Sequence, residues 1–527
     1  MTQFSRDAAL SRLADEHFDV LVVGGGITGA GVALDAASRG LHTVLVERRD
    51  FASGTSSKSS KMVHGGLRYL NQRDYRLVYE ALYERQRLLR NAPHLVKPLP
   101  FLIPLYGGKT IAKALNSALW MYDLTGGLRI GKRHHKISPD DTIEHMPTLR
   151  REGLAAGFEY YDAQADDARL TLGIVRTAVL DHGAVAANYA GVTELLKDGG
   201  GQIVGARVGD VDVRAHVVVN ATGVWSDEIR ALDEGPHTGS LRPAKGIHLS
   251  VPWEKVRCDI AVVIPVLKDK RSIFVVPWDD RVYVGTTDTD YEGPLDDPVC
   301  TPDDVRYLLD AVNRFLTDPL SSEDVLGTWA GLRPLVRDAR SDRTADLSRR
   351  HSVQRSSGGL ITVTGGKLTT YRRMAADTVD MAASILGRGG RCRTTRLPLR
   401  GADGFEAVDD ERLASRYGSE ARTVQAMVAA DPSLGQPLIP SLPYLRAEAL
   451  YAARYEMAHT LDDVLARRTR ALLLARDETA AAADDIAALV AGELGWDDTE
   501  RTRQAAAFRS LAESERAAAG LPEIVSA

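Results

Sequence analysis

The sequence predicts an α/β protein built in three parts, and three observations carry the prediction. A short apolar run ends in a glycine-rich turn and leads into a helical pattern near residue 30. Runs of β-type residues separated by turn residues occupy 246–287. From about residue 396 the chain turns rich in alanine, leucine and charge. Together these read as a discontinuous Rossmann-like domain, an antiparallel-sheet cap and an all-helical C-terminal domain.

The first element is "FDVLVVGGGITGAG", residues 18–31. Asp19 to Val23 form a short buried strand, and Gly24, Gly26 and Gly29 follow as G-x-G-x-x-G. Glycine suits the tight turn, the close approach of a pyrophosphate and the packing of helix on strand. The next helix, about 28–38, offers free N–H groups at its start to phosphate oxygens. A second strand, "HTVLVE", closes on Glu47, 18 residues past Gly29. An acid there suits an adenosine ribose and disfavours a 2′-phosphate. Strand, glycines, helix, strand and acid in this order predict a bound dinucleotide.

Later segments return to the same crevice. "VVVNATGVWSD" puts Ala221 and Gly223 after a β-branched run, and "GGLITVTGGKLTTYRRMA" puts Gly366, Lys367, Leu368 and Thr369 between a strand and a helix. "FASGTSSKSSKMVHGGLRYL", residues 51–70, is rich in small and polar residues that let backbone approach a large flat ligand. A cofactor wrapped by segments near 24, 60, 222 and 366 is held tightly, which fits a bound flavin better than an exchanging nicotinamide.

Length and composition set the bounds. The 527 residues suffice for two or three domains with sizeable cores. A net charge of −5 argues against a general nucleic-acid binder. Cys258, Cys300 and Cys392 lie far apart, form no metal or redox spacing, and read as a reducing compartment. The polar start has no signal-like apolar core and no stretch approaches a membrane span, which leaves peripheral membrane contact open. Asp288 and Asp290 in "VGTTDTDY" read as a polar turn at a strand end, and no metal site is expected.

Beyond these readings, "VVGGGITGAGVALDAASRG", "SSKSSKMVHGGLRYL", "RPAKGIHL", "VGTTDTDY", "GLRPLVRD", "TGGKLTTYRRMA" and "EMAHTLDDVLARRTR" together resemble the bacterial aerobic, membrane-associated FAD-dependent glycerol-3-phosphate dehydrogenases. The resemblance spans most of the chain. It implies FAD as cofactor and oxidation of sn-glycerol 3-phosphate to dihydroxyacetone phosphate, with electrons passing to a membrane quinone. It also implies an FAD-binding domain in three parts, 1–82, 156–230 and 331–395. The antiparallel-sheet substrate cap would occupy 83–155 and 231–330, and the helical domain 396–527. The chain would be cytoplasmic or peripheral on the cytoplasmic face of the inner membrane, with a homodimer allowed.

The same resemblance assigns the site. A phosphorylated substrate needs cationic donors, met by a rigid arginine fork or a lysine point charge. Arg68, Arg333, Arg349 and Lys367 are the candidates, with Tyr69 lining the pocket; Lys367 serves equally as a partner of the flavin's polar edge. Arg349 is placed by register alone, with Arg350 adjacent. His248 in "RPAKGIHLSVP" is the candidate base for the C2 hydroxyl proton, since a base of near-neutral pKa is wanted. Arg68 and Arg333 complete the catalytic set. Ser56, Ser57, Ser60 and Lys61 are expected at the cofactor's phosphates or ring edge, with His64 and Gly65 beside it.

Residues 107–136 carry an amphipathic stretch with Trp120, Met121 and Leu124, which suits either an anionic bilayer or packing within the cap. In the C-terminal quarter, helices are expected at 410–417, 419–429, 445–457, 461–474, 480–493 and 499–520. Asp462, Asp463, Arg467, Arg468 and Arg470 read there as helix-face pairs on a solvated surface. The nearest rival function is an oxidase that passes electrons to oxygen. An amino-acid-oxidising flavoprotein would not need so many cations round its cofactor, and a non-enzymatic FAD-binding scaffold would not need His248 with them.

Overall fold

The computed structural model describes residues 4–67, 69, 74–236, 239–266, 271–336 and 350–522. Two sheets and a helical region make up the fold. In the first sheet, Ile361–Thr364, Val211–Asn220, His17–Val23, Thr43–Val46 and Val185–Ala187 lie side by side and parallel. Ser352–Arg355 adds an antiparallel edge, and the hairpin Val192–Lys197 and Ile203–Val208 extends from Val211–Asn220.

Apart from His17 and the buried Asp19, the central strand is apolar, because both of its faces are covered. Val20 and Val22 pack into one core cluster, and Leu21 and Val23 into another on the opposite face. The helix Ile27–Ser38 packs its alanines against Asp167–Leu180 and Tyr371–Leu386 in the first of these clusters. Small residues are required at these contacts. A Cβ on Gly31 would stand 2.7 Å from the Tyr371 ring, and one on Gly29 only 1.9 Å from the Gly24 carbonyl oxygen.

The second sheet has ten strands, antiparallel except where Ala261–Val266 runs parallel to Val96–Tyr106. The expected strands within 246–287 are there as Leu241–Pro252, Ala261–Val266, Arg271–Trp278 and Arg281–Gly285. Gly327–Val336 pairs with Leu241–Pro252 from Leu241 to Ser250, with His248 opposite Trp329 on one side and Gly285 on the other. Leu154–Ala165 also belongs to this sheet, paired with Val96–Tyr106, so the chain returns to the first sheet's layers only at the helix Asp167–Leu180.

The C-terminal region is helical, with Glu411–Tyr417, Ala421–Ala430, Arg446–Tyr455, Ala483–Leu494 and Asp498–Ala518 close to the expected ranges. The expected helix 461–474 is different. Asp463–Arg468 is a π-helical turn, Arg470 has φ +65°, and a short helix Ala471–Leu474 follows. The charges read as a solvated face are instead interior: Asp463, Arg467, Arg468 and Arg470 are all buried. A regular α-helix spreads positions 467, 468 and 470 around its circumference. The π-turn and the left-handed residue let all three turn inward, to Asp50, Asp463 and Asp167.

Candidate active site

The C-terminal ends of three adjacent parallel strands form one crevice, the place where open α/β sheets bind ligands. Gly24 follows Val23 with φ +106°, Gly223 lies just past Asn220 with φ +62°, and Gly365 and Gly366 follow Thr364 with φ +76° and +81°. L-residues rarely adopt these angles, so glycine shapes the crevice at each strand end. At Gly24 a Cβ would also meet the Ala221 carbonyl oxygen at 2.8 Å.

Ser56 reaches the same point from the 51–70 segment. Its Oγ accepts from the Ile27 N–H at 2.8 Å, at the start of the helix that would face a pyrophosphate. The Glu47 carboxylate accepts from the N–H groups of Gly25 (2.6 Å) and Arg49 (2.9 Å), and burial pushes its pKa up. Glycine-shaped backbone, a helix N-terminus and a hydroxyl converging on it fit the dinucleotide portion of FAD.

On the cap side, His248 is buried, and its ring stacks on Trp329 with centroids 4.9 Å apart. Its Nε2 is 2.8 Å from Ser60 Oγ. Burial first, then the charges of Lys61 and Arg333, hold its pKa well below the usual 6.5, so the ring stays neutral near pH 7. Gly285 lies opposite, where a Cβ would stand 2.1 Å from the imidazole Cδ2. Arg333 donates to the Thr287 carbonyl (3.0 Å) and Thr286 Oγ1 (3.0 Å) and pairs with Asp288 at 3.2 Å. Asp290 pairs with Arg242. Among the described residues, no group of three or more His, Cys, Asp or Glu side chains could hold a metal ion.

A second group gathers round 64–69. Lys367 Nζ lies 4.0 Å over the Tyr69 ring and donates to the Gly65 carbonyl at 3.4 Å. Thr369 Oγ1 accepts from the His64 N–H at 3.1 Å. The Gly65 N–H donates to the Tyr122 hydroxyl at 3.0 Å, which in turn donates to Asp162 at 2.6 Å; Arg85, fully buried, pairs with that carboxylate. Leu368 and Thr369 lie in the short turn that follows Lys367.

Two expected residues, Arg68 and Arg349, lie outside the described residues, and the neighbouring Arg350 pairs with Asp74 at 2.8 Å. Lys61, expected at the cofactor's phosphates or ring edge, is held by protein partners. Its ammonium is buried, bonded to Asp167 Oδ1 (2.9 Å) and the Ser57 carbonyl (3.1 Å), between the rings of Trp278 and Trp329. Desolvation there brings its pKa down to about 8. Ser60 meets His248, and Ser57 Oγ donates to the Gly54 carbonyl at 3.3 Å. Asp167, Trp329 and the Arg85–Asp162–Tyr122 chain carry no motif-like spacing, and sequence reasoning passed over them.

Comparison with known proteins agrees with this geometry. Residues 19–372 match the family model described as FAD dependent oxidoreductase, and 392–501 that of the C-terminal domain of alpha-glycerophosphate oxidase. The chain is 42% identical to glycerol-3-phosphate dehydrogenase 2 of Mycobacterium tuberculosis, covering 99% of this chain and 92% of that protein. It is 38% identical to the mitochondrial glycerol-3-phosphate dehydrogenase of Rattus norvegicus, covering 95% and 74%. The crystal structure of the Bacillus halodurans glycerol-3-phosphate dehydrogenase complexed with FAD superposes with a TM-score of 0.79 at 33% identity, over 99% of both chains. The L-alpha-glycerophosphate oxidase of Mycoplasma pneumoniae shares the fold, with a TM-score of 0.58 at 16% identity over 70% of this chain and 95% of that one.

Proposed function

The chain belongs to the family of FAD-dependent glycerol-3-phosphate dehydrogenases, and from that premise we propose that it oxidises sn-glycerol 3-phosphate to dihydroxyacetone phosphate and delivers the electrons to a membrane quinone. Bound FAD supplies the hydride acceptor, at N5 of its ring, and the route for electrons onward. The chain's own residues supply binding, orientation and proton handling.

The observation that carries the reading is His248, neutral and buried against Trp329, with its ring set by Ser60. As the C2 hydroxyl becomes a ketone its proton must leave, and a desolvated neutral imidazole can accept it. Arg333 and Lys367 supply positive charge for the substrate phosphate, with Tyr69 forming pocket wall under the Lys367 ammonium. Arg333 is already braced by Asp288, Thr286 and Thr287, which orients its fork before substrate arrives. Arg68 and Arg349 belong to the same proposed set. Glu47, Ser56 and the glycines of the crevice would hold FAD.

The quinone reading draws on the helix Lys109–Thr125. Leu119 and Tyr122 pack inward, while Trp120, Met121 and Leu124 are exposed on the other side, Leu124 at 74%. Lys109, Lys113, Lys132 and Arg133 lie exposed beside them. An apolar face edged by cations suits an anionic bilayer surface, and no described helix is long and apolar enough to cross one. The enzyme would then work peripherally, on the cytoplasmic face of the inner membrane.

The test is an anaerobic visible spectrum of the purified holoenzyme before and after addition of sn-glycerol 3-phosphate. Prompt bleaching of the flavin is expected, followed by fast reoxidation with a short-chain quinone and slow reoxidation with oxygen. An unbleached flavin would reject the substrate, and rapid reoxidation by oxygen would favour the oxidase.

A further inference from the structure

The C-terminal helical region reaches the active site at the turn 470–473. Arg470, in the left-handed conformation, directs a fully buried guanidinium toward the 51–70 segment. Its Nη2 donates to the Ser57 carbonyl at 2.6 Å and to Asp167 Oδ1 at 2.9 Å. Asp167 sits in the first turn of its helix, and its other oxygen accepts from the Ser59 N–H at 2.9 Å. Three residues further along the turn, the Leu473 carbonyl accepts from Ser250 Oγ. Ser250 is two residues past His248 on the same strand, and a Cβ on its partner Gly327 would stand 2.4 Å from that same carbonyl oxygen.

The two contacts of this turn bracket a single interaction. Arg470, together with Lys61 on the same two acceptors, and Asp167 hold the backbone on one side of Ser60, while Leu473 holds the strand that carries His248. The Trp329 indole donates to the Ser59 carbonyl at 3.2 Å, and the Tyr283 hydroxyl to the Ser60 carbonyl at 2.9 Å, closing the frame. Between them lies the 2.8 Å contact of Ser60 with the imidazole. A base aimed by one hydroxyl depends on the backbone beneath that hydroxyl, where a shift of about 1 Å can cost about 100-fold in rate.

We propose that Arg470 is a positioning residue for the oxidation, acting from the helical domain through Ser57, Asp167 and Ser60 to set the His248 imidazole. The proposal rests on the reading of His248 as the base. It gives the C-terminal domain a part in the chemistry without contact with substrate or cofactor.

The experiment uses the full-length holoenzyme and anaerobic stopped-flow reduction of its flavin by sn-glycerol 3-phosphate. This gives a limiting rate and an apparent substrate dissociation constant. Arg470→Gln is expected to lower the limiting rate by about 30-fold or more, with the dissociation constant changed less than about threefold. Arg470→Lys keeps the charge but lacks the fork, and is expected to fall only about three- to tenfold. A limiting rate within about twofold of wild type, in either variant with FAD bound, overturns the proposal, whatever the melting temperature. If Arg470→Gln fails to fold, Arg470→Lys decides by the same criterion. His248→Asn is measured alongside. A wild-type rate in that variant removes the reading of His248 itself, and the proposal with it; a slow His248→Asn beside wild-type Arg470 variants removes the positioning role alone.

Discussion

Burial is the first reason that His248 stays neutral, and two cations add to it. Burial alone disfavours the imidazolium, and Lys61 and Arg333 disfavour it further. The neutral ring is the form that accepts a proton, so the rate of flavin reduction should hold through pH 6.5 and fall only as pH drops through a value well below it. Lys61→Met removes one of the two cations, raises the histidine's pKa, and should move that acid limb to higher pH. The pH profile of anaerobic flavin reduction checks this, and an unmoved limb would mean that Lys61 does not act on His248. At this scale the sequence was half legible. His248 stands out by its motif, but the partner of Lys61 does not. A lysine within "SSKSSK" reads as a residue at the cofactor's phosphates or ring edge, and nothing local shows that Asp167, more than 100 residues away, will bond it.

Elements were more legible than residues wherever periodicity decided them. The glycine turn, the parallel strands buried on both faces and the paired strands of the cap follow from patterns a few residues long. The helix Lys109–Thr125 shows how far such a pattern reaches. Its amphipathicity suited both a bilayer and the cap, and the structure uses one face for packing while exposing the other. The exposed face should therefore be separable from the chemistry. Leu124→Glu puts a charge at the most exposed apolar position and should cut sedimentation with anionic phospholipid vesicles about tenfold or more. Turnover with a soluble dye as acceptor should be unchanged. Equal vesicle binding by wild type and variant would move the membrane contact elsewhere. The π-turn Asp463–Arg468 marks the opposite limit. Its sequence reads as an ordinary charged helix, and only the buried carboxylates it meets cause the departure.

Across the whole molecule, buried ion pairs join the helical region to the cofactor domain. Asp50 lies just past the second strand, fully buried, and accepts from Arg467 (2.7 Å) and Arg468 (2.7 and 2.9 Å) of the π-turn. Arg169 of the cofactor domain pairs with Glu456 at 2.7 Å, and Arg176 with Glu420. Such pairs add little net stability over apolar packing of the same shape, but breaking one partner leaves a charge stranded. Asp50→Ala should therefore cost about 3–5 kcal/mol, read as a fall in thermal unfolding temperature and as early proteolytic release of the helical region. The pH dependence has a definite sign. Although burial disfavours the Asp50 carboxylate, the two arginines prevail and hold its pKa down at about 2, against 3.8 unperturbed. Its stabilisation is complete above the unperturbed value and is lost as pH falls through about 2. The wild-type joint should thus survive mild acid, and Asp50→Ala should flatten the part of the acid-unfolding curve that this carboxylate contributes. Because the same π-turn leads into Arg470, the variant should also slow flavin reduction. A variant that loses the joint yet reduces its flavin at the wild-type rate would show that the helical region's hold on the active site does not pass through this joint.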